Sequence, residues 1–246
     1  MRKIDKVFVI HVKEGFEDRR AHIQSELERH GIDFEFVLND DIPDFTEERI
    51  SAFFSSDHSL KDSKMSCSLK HYSVFERMES HEYSLVLVFE DDVFLAKNFN
   101  SVLDKVLCEV EKKDPGYVIY LGNAGNKYVR PEKIYEGQAL YREKSGRATD
   151  SYLIDYTAAM RRINYIRARK AHLSTGHMMN LVDNAVGNTI YWTHPTIAEQ
   201  GSQNGRMRST VSRNKRFHRL RWLIRDFNKR YLSRAVFLRK PRKKSF

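Results

Sequence analysis

The sequence predicts an α/β fold, a single domain with a mostly parallel central sheet, followed by a basic helical C-terminal tail. Three observations predict it. Apolar runs of strand length alternate with stretches of helical periodicity along most of the chain. One of them, Tyr83–Phe89, is apolar almost throughout, as expected of a strand covered on both faces. The basic residues crowd at one end: residues 206–246 hold 16 Lys+Arg against one acid, Asp226, whereas residues 1–205 hold 27 against 32. The net charge of +10 thus combines a mildly acidic body with a strongly basic tail. Such a tail meets a polyanionic surface on its own.

Taken in order, Lys6–Val12 reads as a strand and Phe16–His30 as a helix stopped at Gly31. Phe34–Leu38 is a second short strand. Asn39–Asp62 is polar and acidic, a loop with a short helix near Glu47–Phe54. Met65, Leu69, Tyr72, Phe75 and Met78 recur at spacings of three and four, which predicts a helix over 65–80. The Tyr83–Phe89 strand follows and runs into Glu90-Asp91-Asp92. A helix over Phe99–Glu111 closes at Asp114-Pro115-Gly116, and Tyr117–Leu121 is a further buried strand. Residues 123–148 are polar and glycine-bearing, a hairpin excursion or a lid. Ser151–Ile154 is a strand, Tyr156–Leu173 a helix, and Ile190–Thr193 and Thr196–Ala198 are short strands. The composition changes after Gly205, which places a boundary between a 1–205 domain and a 206–246 tail.

With 41% hydrophobic residues, 246 residues suffice for one sizeable core. No run approaches the roughly 20 apolar residues of a membrane span, and no signal peptide is expected. Two cysteines, Cys67 and Cys108, are expected to make neither a disulfide framework nor a zinc site, so the expected home is the reducing cytoplasm.

The acidic triplet is the most informative feature. Ligands of open α/β sheets bind outside the carboxyl ends of the strands, where Glu90, Asp91 and Asp92 fall. Adjacent carboxylates repel unless a cation neutralises them, and Mg²⁺ or Mn²⁺ is commonly held by one or two carboxylates plus substrate phosphates. The chain has no Gly-x-x-x-x-Gly-Lys loop, dinucleotide fingerprint, Gly-x-Ser-x-Gly elbow or His-Glu-x-x-His helix, which argues against P-loop, dinucleotide-dependent, serine-hydrolase and zincin chemistry.

Several segments together resemble glycosyltransferase family 25, the lipopolysaccharide and lipooligosaccharide glycosyltransferases. Val9-Ile10 with Glu17-Asp18-Arg19-Arg20-Ala21-His22-Ile23 resembles the family's opening strand and Arg-Arg helix start. Ser66-Cys67-Ser68-Leu69-Lys70-His71 is similar to its Gly-Cys-x-Leu-Ser-His segment, with Ser66 and Lys70 as departures. Leu87–Val93 resembles its Glu-Asp-Asp strand end, and Ala148–Ile154 its Gly-Thr-x-x-Tyr-Leu-Ile stretch. Leu181-Val182-Asp183 is similar to its Pro-Val-Asp, and His194-Pro195 through Gln200 to its closing segment. The matches keep family order over residues 7–200, with bacterial lipooligosaccharide galactosyltransferases as the subgroup most resembled.

The resemblance implies a GT-A-like fold, a UDP-sugar donor, Mn²⁺ or Mg²⁺, a lipid-linked oligosaccharide acceptor and inverting transfer, best read as β-galactosyl. Asp92 and Asp91 are then the expected metal ligands, and Glu90 and Asp91 donor contacts. An inverting transfer needs a base for the acceptor hydroxyl. The resemblance nominates Asp183, with Asp150, Asp155 and Glu199 as rivals. Val9, Arg19, Arg20, His71 and Asn123 are expected on the donor side; for the arginines, helix N-termini and guanidinium groups both suit anions. Asp150 and Gln200 are expected on the acceptor side.

In the tail, Phe217, Leu220, Ile224, Phe227 and Tyr231 share a face, with Trp222 and Leu223 near its edge and Arg and Lys around the rest. Such a basic amphipathic helix lies on anionic membranes. The expected location is therefore the cytoplasmic face of a bacterial inner membrane, as a peripheral protein. The alternatives are a nucleic-acid-binding protein using the tail and an inactive family member serving as a docking protein. The acidic body counts against nucleic acid, which is not an expected partner.

Overall fold

The computed structural model describes residues 2–123, 126–208 and 218–229. The chain runs β1 (Lys6–Ile10), α1 (Glu17–Arg29), β2 (Glu35–Val37), α2 (Glu47–Phe53), α3 (Asp62–His81), β3 (Leu85–Glu90), β4 (Val93–Leu95) and α4 (Phe99–Val110). It continues through β5 (Tyr117–Tyr120), β6 (Leu140–Glu143), β7 (Ser151–Asp155), α5 (Tyr156–Arg169), α6 (Thr175–Val186), β8 (Thr189–Thr193), β9 (Ala198–Gln200), α7 (Gly201–Asn204) and α8 (His218–Phe227).

Seven strands form the central sheet in the order β2-β1-β3-β7-β5-β8-β6. The pairings make β2, β1, β3, β5 and β8 point one way, with β7 and β6 reversed. The expected α/β class and largely parallel sheet are both present. Alternate side chains of each strand enter two cores. Phe8, Ile10, Val86, Val88, Tyr120 and Tyr152 pack with α3, α5 and α6 on one face. Val9, Leu85, Leu87, Phe89 and Leu153 pack with α1 and α4 on the other.

Four details differ from the sequence reading. Residues 123–148 contain an edge strand, β6, which pairs antiparallel with β8. The final short strand is shifted to Ala198–Gln200 and pairs with β4 in a two-stranded ribbon beyond the sheet's carboxyl edge. α5 stops at Arg169 because Lys170 turns to a φ of 59° and the Ala171 N–H is taken by the Phe53 carbonyl. α6 is a helix that the periodicity had not disclosed.

Two departures from the family pattern have a shared structural reason. Ser66 and Lys70 lie one turn apart on α3 and face the loop after β2. Ser66 Oγ donates to the Asp40 carbonyl at 2.7 Å. The buried Lys70 ammonium donates to the Asn39 carbonyl at 2.7 Å and pairs with Asp41 at 2.8 Å. Burial lowers the Lys70 pKa, and its acidic neighbours oppose that. The two side chains pin the Asn39–Asp41 loop in place.

Candidate active site

The three carboxylates at the end of β3 diverge, because successive residues point to different sides as the strand ends. Asp91 Oδ2 meets His11 Nδ1 at 2.8 Å, and Asp91 Oδ1 accepts from Arg19 at 2.6 Å. Asp92 turns toward the start of α7, where its Oδ2 accepts the Ser202 N–H at 3.0 Å. Glu90 accepts from Thr149 Oγ1 at 2.9 Å and from Gln200 Nε2 at 3.0 Å. Asp150, just before β7, closes the group and accepts from Ser151 Oγ at 2.9 Å. It lies so close to Gly122 that a methyl group there would overlap its carboxylate.

The electrostatics follow from crowding. Burial and then the neighbouring Glu90 push Asp92 up to about 6, against the pull of Arg19. The same two causes push Asp150 up to about 8. Asp92 and Asp150 each keep a buried Oδ1 without a hydrogen-bond partner among the described residues. Buried oxygens of this kind cost free energy unless something satisfies them, and a hard divalent cation suits carboxylate oxygen. The residues therefore fit Mn²⁺ or Mg²⁺, with Asp92 the best placed and Asp91 already engaged by His11 and Arg19.

Beside the cluster lies a cavity of about 410 Å³. Its wall is built by Ile10 at the end of β1, by His11–Glu14 after it, and by Phe16 and Arg19 at the start of α1. Asp41–Asp44 and four α3 residues, Ser63, Ser66, Cys67 and Lys70, face them, and Glu90 and Asp91 complete the lining. Apolar and aromatic surface thus adjoins three cations, Lys13, Arg19 and Lys70. Burial pushes the Cys67 thiol up to about 12, which removes it as a thiolate nucleophile.

Of the expected residues, Glu90, Asp91, Asp92, Arg19, Asp150, Gln200 and His71 come together here. His71 is fully buried, with Nδ1 2.9 Å from the Tyr152 hydroxyl and Nε2 3.5 Å from Glu90. Asn123 is buried at the edge and donates to the Tyr128 hydroxyl at 2.8 Å. Others stand elsewhere. Val9 is fully buried in the α1–α4 core and does not line the cavity. Arg20 is exposed and lies over the Phe36 ring at 5.0 Å. Asp183 is fully buried between α5 and α6, where Arg162 holds both its oxygens at 2.8 and 2.6 Å and Asn188 donates to one at 2.9 Å. With both oxygens taken up by Arg162, Asp183 stands as a core ion pair apart from the acidic cluster, not at the cluster where it was expected as the base. Asp155 caps α5 and accepts three backbone N–H groups, a structural role as well. Glu199 lies on β9, within 3.4 Å of Asn204.

The sequence reading missed His11, Thr149 and the Asp41–Lys70 pair. His11 follows the apolar run of β1 directly, so the strand-end rule that singled out Glu90–Asp92 also applies to it.

Glycosyltransferase family 25 (LPS biosynthesis protein) matches residues 4–179 in sequence. The chain belongs to glycosyltransferase family 25. Relatives of this family 25 protein include lipooligosaccharide biosynthesis protein lic2B of Haemophilus influenzae, 23% identical over 80% of the chain and 76% of the relative. Another is the lacto-N-neotetraose biosynthesis glycosyltransferase LgtE of Neisseria meningitidis, 25% identical over 74% of the chain and 70% of the relative. A third is the bovine (Bos taurus) probable inactive glycosyltransferase 25 family member 3, 39% identical over 33% of the chain. The chain spans only 14% of that bovine relative's length. The fold has the features expected of a GT-A-like domain: a largely one-directional sheet, helices on both faces and an acidic cluster at the carboxyl end of a central strand.

Proposed function

We propose that this protein transfers a hexose from a UDP-sugar to a sugar of a lipooligosaccharide or lipopolysaccharide acceptor, with a divalent cation, and with β-galactosyl transfer and inversion as the specific reading. One observation carries it: a cation-bearing cavity with apolar walls opens beside carboxylates that keep buried oxygens unpartnered. A flat base packs on Phe16, Ile42 and Pro43, while Arg19 and Lys13 attract the diphosphate. Asp92, assisted by Asp91, holds the cation, which when bound neutralises charge on the departing UDP. His11 and Arg19 fix the Asp91 carboxylate, and Thr149 and Gln200 fix Glu90.

Asp150 takes the proton from the acceptor hydroxyl as its oxygen bonds to the anomeric carbon and the bond from that carbon to the diphosphate breaks. Its unpartnered oxygen, beside Glu90 and Asp92, supports this role. The names of lic2B and LgtE support the acceptor class. The test is release of UDP from UDP-galactose, UDP-glucose and UDP-N-acetylglucosamine, with an oligosaccharide acceptor, in Mn²⁺ and in EDTA. Release from one donor in Mn²⁺ alone is the expected result. Equal rates in EDTA would remove the cation from the account.

The tail helix supports docking on an anionic membrane from the cytoplasmic side. Among the described residues no helix is long and apolar enough to cross a membrane. α8 turns the buried Trp222 toward the body, while Asp226, one turn on, accepts from Asn126 at 3.0 Å and from the Tyr128 hydroxyl. Its opposite side exposes Leu220, Leu223, Ile224 and Phe227, with exposed Arg219, Arg221, Arg225 and Lys229 around them. The expected Phe217 and Tyr231 lie outside the described residues. Apolar insertion plus about 1 kcal/mol per basic residue near an anionic surface favours binding. Flotation with phosphatidylglycerol-containing vesicles is expected to carry the protein upward, and Leu223→Asp with Ile224→Asp to leave most of it at the bottom. Unchanged flotation of that double variant would remove α8 from the interface.

A further inference from the structure

Cys67 and His71 stand one turn apart on α3, and their side chains converge with Glu90 at the end of β3. One ligand atom from each, the Cys67 sulfur, a His71 nitrogen and a Glu90 oxygen, lies within 4.8 Å of the others. His71 is fully buried, and its Nε2 has no hydrogen-bond partner among the described residues. The remaining contacts leave these atoms available. His71 Nδ1 is engaged by the Tyr152 hydroxyl, the kind of outer contact that fixes the ring and frees Nε2 as a ligand. Cys67 Sγ accepts only a long contact, 3.6 Å, from Thr175 Oγ1. Each Glu90 oxygen accepts one hydrogen bond, from Thr149 or from Gln200, and keeps a lone pair.

We propose that Cys67, His71 and Glu90 form a second cation site, selective for Zn²⁺ or Co²⁺ and separate from the hard-cation site at Asp92. Thiolate and imidazole select borderline metals, whereas Mg²⁺ and Mn²⁺ prefer oxygen, and the metal binds Cys67 by displacing its thiol proton to solvent as the sulfur–metal bond forms. Zinc bonds of about 2.0–2.3 Å place tetrahedral ligands about 3.3–3.7 Å apart; His71 Nε2 and Glu90 already stand 3.5 Å apart, so what remains is for the Cys67 sulfur to close on them by about 1 Å at most. Three protein ligands leave a fourth position open, and Cys67 and Glu90 both line the cavity, so that position faces its interior. A metal here ties α3 to the end of β3. Sequence spacing could not disclose the site, because one ligand comes from a distant strand end.

The test uses the full chain, stripped with EDTA and titrated with Co²⁺. The expected result is a near-ultraviolet thiolate-to-cobalt charge-transfer band, lost in Cys67→Ala and kept in Asp92→Asn. Zn²⁺ is expected to displace Co²⁺, with an affinity at least about 10–100-fold weaker in His71→Gln. Circular dichroism confirms that each variant is folded. A wild-type protein that binds Co²⁺ without the thiolate band would overturn the proposal. So would a band that survives in Cys67→Ala, since Cys108 is the other cysteine.

Discussion

Replacing Asp92 by Asn is expected to lower UDP release about 10²–10³-fold while leaving the protein at least as stable in EDTA as the wild type. The two halves have one cause. Asn keeps the size of Asp and an oxygen for the Ser202 N–H, but removes the charge that the cation needs. That charge is a burden on the fold in the absence of metal. The Asp92 carboxyl is raised from 3.8 to about 6 by burial and by Glu90. A raised carboxyl binds its proton more tightly when folded, so stability falls as pH rises from the unfolded value through the folded one. At neutral pH that amounts to roughly 3 kcal/mol, which Asn avoids. Thermal unfolding in EDTA and in Mn²⁺ checks it: Mn²⁺ should raise the wild-type Tm and leave that of Asp92→Asn where it was. A Mn²⁺-induced rise of equal size in both would move the cation away from Asp92.

The second large effect lies in the core. Asp183→Asn is expected to cost about 3–5 kcal/mol, because it leaves the Arg162 guanidinium buried beside a neutral partner. At about 2–4 °C per kcal/mol for a chain of this size, Tm falls by roughly 6–20 °C. The double variant Arg162→Met with Asp183→Leu should recover most of that loss, since no charge is then left unpaired. Tyr120, whose hydroxyl accepts from Arg162 at 3.1 Å, loses that donor as well, so the recovery is incomplete. An Asp183→Asn protein with wild-type Tm and no turnover would return Asp183 to the chemistry.

How far the sequence disclosed this molecule depends on the range of each interaction. The end of β3 was legible because a continuous apolar run followed by three acids is a local pattern with a positional meaning in α/β sheets. Arg19 was legible as one of a pair, but which arginine faces the cavity depends on the rotation of α1 against β1. Asp183 was not, since its partner Arg162 is 21 residues away on another helix, and a pairing of that kind leaves no mark at either position. The reversal of β7 between β3 and β5 was hidden for a similar reason: period-two alternation is the same in both strand directions. α6 escaped notice because Gly176, Asn180 and Asn184, weak helix formers, interrupt the apolar stripe of Met178, Met179 and Val182. In the tail, Trp222 was expected near the apolar edge and instead faces the body, a choice made by the docking of Asp226 on Tyr128 and Asn126.

Calorimetric titration of UDP-galactose into the wild-type protein tests the central claim most directly, that the cavity beside Asp91 and Asp92 is a cation-dependent nucleotide-sugar site. The account predicts saturable binding at one site per chain in Mn²⁺, binding lost in EDTA, and affinity weakened at least about tenfold by Arg19→Ala, which removes a charge-assisted contact. Absence of heat with UDP-galactose, UDP-glucose and UDP-N-acetylglucosamine alike, or binding that ignores both EDTA and Arg19→Ala, would contradict it.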